Sequence, residues 1–62
     1  MTRYFQDRYN EYVIVKETDG RAFVWSYDRK KWVEDEMATD VYLDPESREL
    51  TEEEMLKERN KP

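Results

Sequence analysis

YVIVKETDGRAFVWSY, residues 12–27, is the stretch on which the fold turns. Two runs rich in apolar residues, 12–17 and 21–27, flank Thr18-Asp19-Gly20, and Gly20 is the only glycine of the chain. Asp-Gly favours a two-residue type I′ turn, because both central positions need positive φ. A turn at Asp19-Gly20 sets Thr18 opposite Arg21, Lys16 opposite Phe23, Ile14 opposite Trp25 and Tyr12 opposite Tyr27. Side chains alternate between faces along a strand. Tyr12, Ile14, Phe23, Trp25 and Tyr27 therefore share one face, and Val13, Val15, Ala22 and Val24 share the other. The expectation is a β-hairpin with an aromatic face and a valine face.

Downstream, DRKK at 28–31 reads as a polar turn, with Asp28 suited to the first position of a type I turn. Trp32 then lies opposite Tyr27 on the aromatic face, and Val33 joins the valine face. The sheet expected is a three-stranded antiparallel meander over about 11–34, with RYFQ at 3–6 as a candidate edge strand. At the other end, LTEEEMLKERNK carries a capping box, with Thr51 as N-cap and Glu54 three residues on. Leu50 and Met55 occupy the hydrophobic-staple positions around it. Acids lead and bases trail, as the helix dipole favours. A helix over about 51–60 is expected to pack on one sheet face.

Between these elements, residues 35–50 form a variable connection. Met37 with Val41 and Ala38 with Tyr42 are four apart, compatible with one or two helical turns. Val41-Tyr42-Leu43 is equally compatible with a short strand, and Pro45 ends whatever precedes it. The fold class expected is α+β, a single small domain over 1–62: a three-stranded antiparallel meander with a C-terminal helix packed on one face.

Composition narrows the chemistry. The chain has 62 residues, no cysteine and no histidine. Disulfides are excluded, and the usual zinc ligands are missing. Without His or Cys, the common general base and the thiol nucleophile are also gone. One glycine cannot build a phosphate-cradling loop, and no stretch has EF-hand spacing. Neither Ser26 nor Ser47 lies in a nucleophile elbow. A non-enzyme without cofactor or metal is expected. The longest apolar runs are four residues, far short of a membrane span, and the polar MTRYFQDRYNEY lacks the apolar region of an export signal. A cytoplasmic protein of bacterial or phage type is the expectation.

The net charge of −5 is unevenly spread: residues 1–33 hold seven bases and five acids, and residues 34–62 hold four bases and eleven acids. Arg29, Lys30 and Lys31 beside Tyr27 and Trp32 make too small a basic footprint for direct nucleic-acid binding. They read as a charged hairpin tip. Glu34, Asp35, Glu36, Asp40, Glu52, Glu53 and Glu54 allow an alternative role, in which spaced carboxylates imitate a DNA backbone and inhibit a nucleic-acid-binding protein.

The apolar surfaces suggest the primary role. The aromatic face is expected to be core under the helix, with Trp32 nearest the edge and Tyr9, Tyr12 and Trp32 as rim anchors. Tyr and Trp are enriched at such positions in interfaces. That leaves Val13, Val15, Val24 and Val33 without an evident cover. Residues 37–43, a second copy or a partner would have to supply one, and self-association is the expected use. The function expected is protein–protein interaction through an exposed sheet face with an aromatic rim. A purely structural homodimer is a further alternative.

Overall fold

The computed structural model describes residues 1–62, and the turn behaves as its chemistry demands. Asp19 and Gly20 both adopt positive φ, 53° and 83°. The flanking strands pair Thr18 with Arg21, Lys16 with Phe23 and Val15 with Val24, the register expected from the Asp-Gly position. Beyond the hairpin the architecture departs from expectation. The sheet has five strands rather than three, and there are two helices rather than one.

In chain order the elements are β1 (Thr2–Gln6), β2 (Ile14–Thr18), β3 (Arg21–Ser26), β4 (Lys31–Glu34), α1 (Glu36–Leu43), β5 (Arg48–Leu50) and α2 (Glu52–Arg59). The strands lie in the order β4-β3-β2-β1-β5, and every neighbouring pair is antiparallel. β1 is therefore an inner strand, paired with β2 on one side and with β5 on the other. It ends where the Asp7 carboxylate accepts hydrogen bonds from the Tyr9 and Asn10 backbone N–H groups, at 3.0 and 2.9 Å. Such an Asx turn bends the chain out of the ladder. β5 is only three residues long, too short for an alternating signal between Pro45 and the cap at Thr51.

The β3–β4 turn also differs by one residue on each side. Ser26 faces Lys31 and Trp25 faces Trp32, so Tyr27 sits in the turn rather than opposite Trp32. Lys30 closes the turn in the left-handed region at φ 55°, and its N–H donates to the Ser26 carbonyl at 2.8 Å. The parity is preserved, so Trp32 still joins the aromatic face and Val33 the valine face.

The valine face, expected to lack a cover, is the more fully covered of the two. On the valine side, one cross-strand row runs Glu49, Phe5, Val15, Val24, Val33 across all five strands. α1 lies over it and buries Ala38 and Val41 against Phe5, Val15 and Ala22, with Val13, Val24 and Tyr42 packed at the margin. The Asp35 carboxylate caps α1 by accepting from the Met37 N–H at 2.8 Å. A single residue thus separates strand from helix, and the chain folds directly back onto its own sheet. Alanine and valine give a thin surface that lets helix and sheet approach closely. The valine patch is core, and self-association is not needed to cover it.

α2 packs on the opposite face. Its capping box is complete: the Thr51 hydroxyl accepts from the Glu54 N–H at 3.1 Å, and the Glu54 carboxylate accepts from the Thr51 N–H at 2.9 Å. The staple residues Leu50 and Met55 are buried with Ile14. Met55 is the only buried residue of this helix. So small an apolar contribution covers the β5-β1-β2 side and leaves the rest of the aromatic face open.

Candidate interaction face

A row of side chains on the aromatic side runs Leu50, Tyr4, Lys16, Phe23, Glu34 from β5 to β4. Beside it stand Ile14, Trp25 and Trp32. Leu50 and Ile14, beneath α2, are buried; Tyr4, Phe23, Trp25 and Trp32 are half-buried. The two indoles meet edge to face, centroids 5.2 Å apart at 69°, the arrangement that the ring quadrupoles favour. Tyr4 lies 6.1 Å from Trp32. The result is a continuous aromatic surface, not a pocket. The two concavities of the molecule lie elsewhere and are polar, one of about 350 Å³ beside Arg21 and Glu34 and one of about 490 Å³ beside Arg8 and Arg48.

Cations cover this surface in place of apolar side chains. Lys16 Nζ lies 5.1 Å from the Phe23 centroid and 5.1 Å from that of Trp32. The Arg59 guanidinium lies 4.0 Å over Trp25 and 5.8 Å from Trp32. All four distances lie within the range of cation–π attraction. Lys16 and Arg59 pair with no carboxylate, and among the other bases the same holds for Arg29, Lys30 and Lys31 at the β3–β4 turn, whereas Arg3, Arg8, Arg21, Arg48, Lys57 and Lys61 are all paired. Arg59 Nε is enclosed and has no acceptor.

A polar clamp holds α2 in a position that leaves these rings open. Gln6, 7 % exposed, donates from Nε2 to the Glu58 carboxylate at 2.7 Å and to the Glu11 carbonyl at 3.0 Å. Its Oε1 accepts from Arg48 at 3.2 Å, and Arg48 also donates to Glu54 at 2.9 Å. Lys61 pairs with Glu58 at 2.6 Å. Hydrogen bonds from Lys61 and Gln6 hold the Glu58 carboxyl below its ordinary pKa, and the Thr51 backbone N–H and Arg48 do the same for Glu54. The clamp ties α2 to β1, β5 and the 7–13 connection, and it leaves Trp25 on β3 and Trp32 on β4 half-buried at the margin of the Ile14–Leu50–Met55 cluster.

The expected site residues are scattered relative to this face. Trp32 stands on the edge strand β4, and its ring reaches back toward Trp25, Tyr4 and Lys16. Tyr12 is half-exposed but engaged: its hydroxyl donates to the Pro62 carbonyl at 3.2 Å, its carbonyl accepts from the Tyr27 hydroxyl at 2.7 Å, and Lys61 lies over its ring. Tyr9 is 81 % exposed on the 7–13 connection, stacked with Arg8 at 4.5 Å. Val15 is fully buried beneath α1, and Val13, Val24 and Val33 are half-buried on that same side. The four valines do not form an open surface. Tyr27, expected in the core, is 37 % exposed, and its partial burial pushes its hydroxyl pKa up.

The acidic residues are also divided. Glu36 and Asp40 lie on α1 and Glu52, Glu53 and Glu54 on α2, and these helices flank opposite faces of the sheet. Asp35 and Glu54 act as caps, Glu34 pairs with Arg21 at 2.7 Å, and Glu53 pairs with Lys57 at 3.8 Å. No group of three or more acidic side chains is placed to hold a metal ion, and no helix is long and apolar enough to cross a membrane.

The residue overlooked in the sequence is Lys16. Its place opposite Phe23 follows from the turn register, and a lysine in the middle of a face is almost never fully buried. That single position is evidence that the aromatic face stays partly in water. Arg59 carries no comparable local signal, because its reach over Trp25 depends on where the clamp sets α2. No family model, curated protein or solved structure matches the chain.

Proposed function

We propose that this chain is a protein–protein interaction module whose contact surface is the half-covered aromatic face of β2, β3 and β4. The observation that carries the reading is the pair Trp25–Trp32, side by side on a face that α2 covers only in part. Large rings held rigid and half-desolvated are the anchors that interfaces use, since ordering them costs little further entropy. The role is binding rather than catalysis: rings and permanent cations gather here, without an acid–base pair or an enclosed cleft. A chain without cysteine suits the reducing cytoplasm, where we place it.

Affinity capture from lysate of the source organism, with wild type beside Trp32→Ala, tests this reading. A partner retained by the wild type and lost by a variant of unchanged circular dichroism supports it. A partner held equally by both would place the contact elsewhere. Were the role instead imitation of DNA, replacing Glu52, Glu53 and Glu54 by Gln would release the partner and Trp32→Ala would not. A structural homodimer would show as self-association with nothing else bound.

A further inference from the structure

Resting on that reading, we infer that the partner presents an acidic, apolar protein segment, and that Lys16 and Arg59 select it through its carboxylates. Five of the eleven bases have no carboxylate partner; Arg29, Lys30 and Lys31 stand exposed at the β3–β4 turn, whereas Lys16 and Arg59 are the two held over a sheet face. Lys16 and Arg59 are both drawn over the rings of one face and left without a carboxylate. A ligand seated on Trp32 and Phe23, beside the Arg59-covered ring of Trp25, would place its own groups against both cations. A carboxylate there gains two charge-assisted contacts and an apolar side chain gains the ring surface. A basic segment would face like charge in a site that it desolvates.

The same geometry disfavours the other common polyanion. Bases of a single strand stack on open ring faces, but Arg59 already occupies the face of Trp25 at 4.0 Å. Acids also border the patch: Glu34 pairs with Arg21 at its β4 edge, and Glu58 lies next to Arg59 in the clamp. A continuous phosphate chain would run against them, whereas a peptide with one or two carboxylates need not.

Selection from a random peptide library displayed on phage tests the inference, followed by fluorescence titration of the recovered peptides. Both tryptophans of the chain report on this face. The expected result is peptides with Asp or Glu next to apolar residues. Their binding should weaken about tenfold in Lys16→Gln/Arg59→Gln, as loss of two charges at the contact implies. On the wild type alone, the same binding should weaken as salt rises, a readout that needs no variant. Neutral or basic peptides that bind wild type and variant equally, but require Trp32, would overturn the acidic partner and leave the open-face reading standing. Peptides indifferent to Trp32, or none at all, would overturn both. Tighter binding of a twelve-residue oligothymidylate than of any peptide would assign the face to nucleic acid and refute the inference.

Discussion

Val15→Thr separates the two possible assignments of the sheet faces most sharply. Threonine has nearly the shape of valine and suits a strand, so no cavity opens and β propensity is kept. Only a hydroxyl is added. Val15 has no solvent exposure and packs with Phe5, Ala22, Ala38 and Val41 under α1. It sits in an inner strand, opposite Phe5 on one side and Val24 on the other, so neighbouring backbone acceptors are already engaged. A buried hydroxyl without a partner costs about 1–3 kcal/mol. A chain of this size has a total stability of about 3–9 kcal/mol, so the loss is a large share of it. With a urea m-value of about 1 kcal/mol/M, the midpoint should fall by about 1–3 M at unchanged m. Val33→Thr, on the edge strand and half-exposed, is the matched control, expected to change stability by less than about 0.5 kcal/mol. Equal, small effects at both positions would mean that the valine face is wet and that α1 does not cover it.

Three further outcomes follow from local geometry. Gly20→Ala should destabilise by about 1 kcal/mol or more in the same assay; a Cβ there meets nothing within 4 Å, so the cost comes from the φ of +83° alone. Thr51→Ala removes the acceptor for the Glu54 N–H and should cost about 0.5–2 kcal/mol, with helical circular dichroism falling before the sheet signal on heating. On acidification, Glu54 and Glu58 have folded pKa values below the unfolded glutamate value of about 4.3. Their contribution is fully present above that value and is lost as pH falls through the folded pKa. Urea midpoints should therefore hold from neutral pH down to about 5 and drop below about 4, more shallowly in a Glu54→Gln/Glu58→Gln variant.

Local chemistry made much of the fold legible. The Asp19-Gly20 turn, its register, the parity of both faces and the Thr51–Glu54 box all follow from contacts within a few residues. The missing parts depend on distant partners. β5 is three residues that become a strand only because β1 lies alongside, and β1 becomes an inner strand only because β5 joins it. For α1 the spacing of Ala38, Val41 and Tyr42 was consistent with helix; the one-residue link at Asp35 decides that it folds onto the valines. With that helix undecided, the sequence makes the aromatic rings the natural core and leaves the valines without a cover. Of the expected site residues, the valines lie on the side that α1 covers, and Trp32 lies on the other. Lys16 opposite Phe23 was the available warning.

The central claim is that Trp25 and Trp32 stand on a solvent-accessible face beneath unpaired cations. Quenching of tryptophan fluorescence by iodide and by caesium tests it directly, because the chain has no other tryptophan. The net charge of −5 would by itself draw caesium and repel iodide. The reverse is expected, with iodide the stronger quencher because Lys16 and Arg59 raise the local potential at both rings. Stronger quenching by caesium, or indoles that neither ion reaches, would contradict it.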